Sequence, residues 1–166
     1  MGNSGADRRF CFFLAIAFSF ELYWITHARR LVELSTRDTL AHWFSFYGEC
    51  DTAYYEKVSP LALTLEGINV YFTQLLNVWL IWAIVKRKAY RHALQLSVAS
   101  YLSYSVILYF LETHVGGYSH MRSVSTYTYA LFYGVNLPWL LGHLYMVYDS
   151  IVAVTRQFRL AARYET

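Results

Sequence analysis

The amino-acid sequence predicts an all-α integral membrane protein, a four-transmembrane-helix bundle. Three observations carry that prediction. Of the 166 residues, 57% are hydrophobic and only 15% are charged, whereas a soluble domain carries roughly 25% charged residues. The apolar residues gather in four segments, 10–26, 62–85, 93–112 and 126–154, which contain no Lys or Arg and hold only Glu21, Glu66, Glu112 and Asp149 as acids. A soluble bundle would show a charged outer face at every third or fourth position of each helix, and these segments show none.

Crossing a hydrocarbon core of ~30 Å takes about 20 helical residues. The first segment reaches that length with its flanks. A cleaved signal peptide is the competing reading, since Arg8 and Arg9 precede an apolar run, but Glu21 inside the run and Tyr23-Trp24 ahead of Arg29-Arg30 make a poor cleavage site. The start Met1-Gly2-Asn3-Ser4-Gly5-Ala6 has Ala6 where a myristoylation signal has Ser or Thr. The following loop, 27–61, is long and mixed in charge, with an aromatic stretch at 40–47 suited to the membrane surface and to a lid. The second helix supplies its own length and ends at the basic turn Lys86-Arg87-Lys88-Ala89-Tyr90-Arg91. The third is followed by a flexible turn containing Gly116-Gly117, and the fourth carries Pro138, which is expected to open its backbone hydrogen bonding. Lys and Arg are more numerous on the side of the N-terminus, the 86–91 turn and the tail than on the side of the other two loops, so both termini are expected in the cytoplasm.

Residues 1–166 read as one domain, without repeat or linker. The net charge of +3 is spread over membrane-flanking loops and forms no aromatic-interleaved basic patch, so nucleic acid is not an expected partner. Cys11 and Cys50 fall on opposite sides of the first helix, so no disulfide is expected. There is no nucleotide-binding glycine loop, and His114 and His120 share a loop without a third ligand, so no metal is expected.

An ionisable group inside a membrane helix costs at least ~2.5 kcal/mol, and Glu21 and Glu66 therefore require a function. Glu66, Asn69, Thr73 and Asn77 recur at helical spacing and form one polar seam. Asn136, Trp139 and His143 do the same on the fourth helix, and Ser97, Tyr101 and Tyr104 on the third. Such faces turn toward one another or toward a cavity. Interhelical hydrogen bonding is the plainer account of Asn69, Thr73 and Asn77, and end-of-helix solvation that of Glu112 and Asp149. For His143 there are two readings, a satisfied core histidine and an imidazole supplied to the cavity. Two carboxyls in one dry site do not both ionise at neutral pH, and a protonated carboxyl beside an aromatic face suits proton donation to an alkene or epoxide, with Trp139 stabilising the cation.

The runs Phe46-Tyr47-Gly48-Glu49-Cys50-Asp51-Thr52-Ala53-Tyr54, Leu65-Glu66-Gly67-Ile68, Tyr90-Arg91-His92-Ala93-Leu94-Gln95-Leu96, Leu108-Tyr109-Phe110-Leu111-Glu112-Thr113-His114 and Asn136-Leu137-Pro138-Trp139 resemble, in this order, the emopamil-binding protein family of the EXPERA superfamily, which also contains the sigma-2 receptor. The resemblance runs from about residue 10 to 158. It implies a sterol-like shift of a ring double bond from the 8 to the 7 position in the endoplasmic reticulum. The chemistry is carried out in a cavity open to the membrane, by an acid and a base and without a cofactor. Glu21, Glu66, Asn136 and Trp139 match the family's catalytic positions. Ala17 stands where the family has the histidine of His-x-x-x-Glu, and Asn69 where it has the threonine of Glu-x-x-Thr.

The expected function is thus a membrane isomerase-type enzyme using proton-initiated carbocation chemistry on a hydrophobic isoprenoid. Asn69, Thr73, Tyr101, Tyr104 and His143 are the expected substrate contacts. The same acid chemistry would serve a terpenoid or meroterpenoid cyclase, and two carboxyls among aromatic walls would equally suit a non-catalytic binder of sterols or amphiphilic amines. A scaffolding protein, in which the polar seams only pack, is the remaining alternative. The expected partners are the isoprenoid or sterol, the lipid bilayer and, as one alternative, a second copy in a homodimer.

Overall fold

A computed structural model describes residues 4–163, which form helices and turns with no strand among the described residues. Helix α1 spans Ser4–His27 and continues through a single turn of 3-10 helix into the short α2, Leu31–Leu34. Helix α3 spans Thr39–Cys50, started by the Asp38 carboxylate, which accepts from the Ala41 N–H at 3.0 Å. Helix α4, Pro60–Ile68, begins where the Ser59 hydroxyl accepts from Ala62 N and Pro60 fills the first helical position. It runs through a π-helical segment, Asn69–Thr73, into α5, Gln74–Val85. Helices α6, Arg91–Val115, and α7, Thr126–Ala162, complete the chain. A reciprocal Ser125–Thr128 capping box opens α7.

Four helical stretches, 7–34, 60–85, 91–115 and 126–162, are long and apolar enough to cross a membrane. Their outward faces carry Tyr71, Phe72, Leu75, Val78, Trp79 and Trp82 on the second stretch and Leu141, Tyr148 and Ile151 on the fourth, the surface expected of helices solvated by lipid. Three buried clusters hold the bundle together. Phe10, Leu14, Leu80, Val98, Leu102 and Met146 pack all four long helices at the N-terminal end of α1. Trp24, Ala28, Leu31, Ala41, Tyr55 and Ala62 pack the other end of α1 against α3 and α4, while Cys50, Tyr109, Met121 and Phe132 join α3, α6 and α7. Gly48 permits the close pass of α3 over Tyr55, since a Cβ there would sit 2.6 Å from the tyrosine side chain.

Several expectations are revised. The fourth helix runs on to Ala162 because Arg156, Gln157 and Arg159 continue helical preference after hydropathy falls. Asp149 is therefore mid-helix, accepting from Gln95 Nε2 at 3.1 Å and facing His92 at 3.7 Å. Glu112 is likewise engaged, 3.3 Å from His120. Helix α7 continues through Pro138, which has no N–H to donate to the Gly134 carbonyl. The aromatic stretch 40–47 of the first loop falls within helix α3. Met1–Asn3, half of the myristoylation-like start, lies outside the described residues.

Candidate active site

A half-open cavity of about 610 Å³ lies among the helices between the first cluster and the other two. Phe12, Phe13, Ile16, Phe20, Trp43, Phe44, Leu65, Leu102, Val106 and Leu131 make most of its wall. Into this apolar space project Glu21 from α1, Tyr47 from α3, Tyr54 from the following turn, Glu66 from α4, Asn69 from the π segment, and Asn136 and His143 from α7. Few polar groups converging in an apolar pocket is the usual make-up of a small-molecule site.

The hydrogen bonds around the two glutamates differ in kind. Gln74 Nε2 donates to Glu21 Oε2 at 2.5 Å, and Asn77 Nδ2 donates to Gln74 Oε1 at 2.8 Å. With its oxygen occupied, Gln74 presents its NH₂ to Glu21, an arrangement that favours an ionised, accepting carboxylate. At Glu66 the Tyr54 hydroxyl donates to Oε1 at 2.7 Å, while Oε2 is buried without a hydrogen-bond partner. Tyr54 is itself fixed by Trp24, whose indole N–H donates to the Tyr54 carbonyl at 2.8 Å. The two carboxyls are close enough to repel one another, and Oε2 of Glu66 is the oxygen left free to carry a proton.

A second chain of bonds orients Asn136. Tyr47 and Tyr109 both donate to Asp51 Oδ2, at 3.0 and 2.5 Å, and Ala53 N donates to Oδ1 at 3.1 Å. Because the Tyr47 proton is committed to Asp51, its oxygen accepts, and Asn136 Nδ2 donates to it at 2.7 Å. The other Asn136 N–H donates to the Phe132 carbonyl at 2.8 Å. Both amide protons are thereby spent within the protein, and the side-chain oxygen is the group presented to the cavity. Asp51 is 1% exposed. Burial raises its carboxyl to about 6, against the tyrosine and Ala53 hydrogen bonds that lower it. Burial, with the Asp51 charge adding to it, pushes the Cys50 thiol up to about 12.

Of the predicted site residues, Glu21, Glu66, Asn69, Asn136, Trp139 and His143 line one cavity, as does Ala17. Thr73, Tyr101 and Tyr104 do not. Thr73 is buried but turned out of the cavity wall, because the π segment adds a residue to the turn and shifts the seam so that Gln74 takes the place beside Glu21. On α6 the buried face runs through Val98, Leu102, Ser105 and Tyr109, while Tyr104 is 60% and Tyr101 38% exposed. The tyrosine stripe therefore faces outward, as amphipathic rings do in lipid. Sequence reasoning missed Gln74, Tyr47, Tyr54, Asp51 and Tyr109. A signal was present for four of them. Tyr47, Asp51 and Tyr54 stand in one of the family-like runs and Tyr109 in another, but those runs served only to mark the resemblance.

A bundle of four membrane-length helices around an apolar cavity with two facing glutamates defines a class, the polytopic helical proteins with an acid-bearing intramembrane cavity. Within that class the chain belongs to the EXPERA family, described as the EXPanded EBP superfamily, which it matches over residues 23–150. Glu66, Asn136 and Trp139 lie inside the match and Glu21 just before it. The chain is 25% identical over 119 residues to a probable 3-beta-hydroxysteroid-Delta(8),Delta(7)-isomerase of Oryza sativa subsp. japonica, covering 72% of this chain and 51% of that one. It is 28% identical over 107 residues to a protein of the same description from Arabidopsis thaliana, covering 64% and 47%. To isomeliandiol synthase of Ailanthus altissima it is 30% identical over 95 residues, covering 57% and 44%. The matched region spans about half the length of these relatives.

Proposed function

We propose that the chain is a membrane enzyme that protonates a hydrophobic isoprenoid inside the bilayer and resolves the resulting cation by proton loss, shifting a double bond. The observation that carries the reading is the unlike pair of glutamates in one dry cavity. Glu66, with Oε2 free, delivers its proton to one alkene carbon. The cation at the neighbouring carbon is stabilised by the Trp139 face and the Asn136 oxygen. Glu21, whose Oε2 accepts from Gln74, acts as the carboxylate base and removes a proton from the next carbon, leaving the substrate's composition unchanged. Between turnovers Glu21 gives up its proton to solvent and Glu66 takes one from it, which resets the site. The named activities of two relatives as sterol isomerases support this substrate class. The setting is the endoplasmic reticulum membrane with both termini cytoplasmic, and residues 1–166 act as one domain.

A second reading has its own support. Ala17 lies in the cavity wall where the family resemblance places a histidine, so α1 brings no imidazole alongside Glu21. A relative named as a synthase is 30% identical. Protonating a terpenoid epoxide or alkene and directing its rearrangement or ring closure needs the acid more than a strong base. Microsomes carrying the wild type and Glu66→Gln, supplied with a Δ8 sterol and separately with an epoxidised triterpenoid, test both readings. Product from either substrate that is lost in Glu66→Gln supports the acid assignment and chooses between the readings. Product that survives Glu66→Gln removes Glu66 as the donor, and no product from either substrate leaves binding of sterols or amines as the function.

A further inference from the structure

His143 stands apart from the glutamate layer. It lines the cavity, is 3% exposed, and neither ring nitrogen has a hydrogen-bond partner. The Trp139 backbone carbonyl one turn earlier is close enough to interact with the ring, though outside hydrogen-bond geometry. The Phe13 ring lies edge-on at 5.1 Å, and Phe13 comes this close because Gly142 has no side chain, since a Cβ there would stand 2.5 Å from the phenyl ring. The cavity is therefore closed at this end by an aromatic ring and an imidazole.

Two helices measure the separation from the glutamates. On α7, His143 follows Asn136 by two turns, ~10 Å along the axis, and on α1, Glu21 follows Phe13 by slightly more than two, ~12 Å. The intervening wall, Ile16, Ala17, Leu102 and Trp139, is apolar. A buried imidazole with unpaired nitrogens costs free energy unless something in the cavity pairs with it, and a neutral imidazole offers one donor and one acceptor, the complement of a hydroxyl.

We propose that His143 is a second, specificity-determining binding pole, and that the ligand of this cavity is a rigid polycyclic isoprenoid carrying a hydroxyl group at the end of its ring system opposite the part that meets the glutamates. The statement that the glutamate end is the reacting end rests on the proposed function; the second pole does not.

Saturated probes separate the two, because they bind without being turned over. The purified full chain in detergent is titrated with 5α-androstane-3β,17β-diol, which has hydroxyls at opposite ends of the skeleton, and with 5α-androstan-3β-ol and 5α-androstan-17β-ol, each lacking one, using intrinsic tryptophan fluorescence. The wild type is expected to bind the diol about tenfold more tightly than either mono-ol, the value of one net hydrogen bond in a dry site. In His143→Leu the preference is expected to fall to within about twofold. His143→Gln, which keeps a donor and an acceptor, retains part of it, and serves with His143→Met if the leucine variant does not fold. Tyr104→Phe, on the outward face of α6, leaves the diol preference in place. A wild type without diol preference overturns the proposal, as does a leucine or methionine variant that keeps it. Either result leaves the acid chemistry of Glu66 to be judged by its own assay.

Discussion

The two ends of the cavity are built differently. At the glutamate end three of the polar side chains proposed to react each have a partner in the protein, Gln74 on Glu21, Tyr54 on Glu66 and Tyr47 on Asn136, with Glu66 Oε2 left open. At the other end His143 is buried with no hydrogen-bond partner. Preorganised donors and acceptors belong where charge develops, because they need no reorganisation during the reaction. An unsatisfied polar group belongs where a ligand completes it. The contrast separates chemistry from recognition within one apolar space.

Four substitutions probe that contrast, in decreasing order of expected effect. Glu66→Gln removes the proposed proton donor and is expected to lower kcat by about 10²–10⁴-fold, read as product formed per unit of enzyme, with binding of saturated analogues retained. Tyr47→Phe takes away the oxygen that accepts from Asn136 and lets the amide turn, with an expected fall of about tenfold in kcat, the scale of one net hydrogen bond. Its effect should not add to that of Asn136→Ala in a double-mutant cycle, whereas additivity would show Tyr47 acting by another route.

His143→Leu is expected to go the other way in the unliganded protein, raising the thermal midpoint in detergent by a few degrees, because an unpaired polar group is replaced by an apolar one. A lower midpoint would mean the imidazole is satisfied by the fold. The smallest effect is expected at Tyr104→Phe on the outward face of α6, with activity unchanged within about twofold; a large loss would return that stripe to the site.

Asp51 gives a pH test of the network behind Asn136. Its carboxyl titrates near 6 in the folded chain, above the unfolded value of about 3.9. The folded state thus binds this proton more tightly, and its contribution to stability is greatest below about pH 4 and is lost as pH rises through 6. Asp51→Asn lacks the titration and should gain on the wild type between pH 4.5 and 7, by at most about 3 kcal/mol, in thermal or denaturant unfolding. A constant difference between the two proteins across that range would contradict the buried, titrating Asp51.

Much of this was legible in the sequence, and the residues show why. Charge scarcity located the four spans, because hydrocarbon excludes Lys and Arg from their length. Glu21 and Glu66 stood out because a carboxyl there is expensive without a purpose. Periodicity worked for Asn136, Trp139 and His143, which α7 carries on one uninterrupted face. It misled on the second span, where the π segment breaks the 3.6-residue repeat and exchanges Thr73 for Gln74, and on α6, where a tyrosine stripe looks polar by composition yet is at home in lipid. Tyr47, Tyr54 and Asp51 could not be placed by period, because they lie on α3 and the turn after it, and only tertiary folding brings that segment over the cavity. The mid-helix position of Asp149 was hidden by the drop in hydropathy that precedes the true end of α7.

The central claim is that a protein-borne proton, delivered from Glu66, begins the reaction. Turnover in microsomes prepared in D₂O tests it most directly. Carboxyl protons exchange with solvent, so the product is expected to carry one non-exchangeable deuterium at the protonated carbon, with a slower rate than in H₂O and no incorporation in Glu66→Gln. Product formed at the wild-type rate without deuterium on carbon would contradict the account for an alkene substrate.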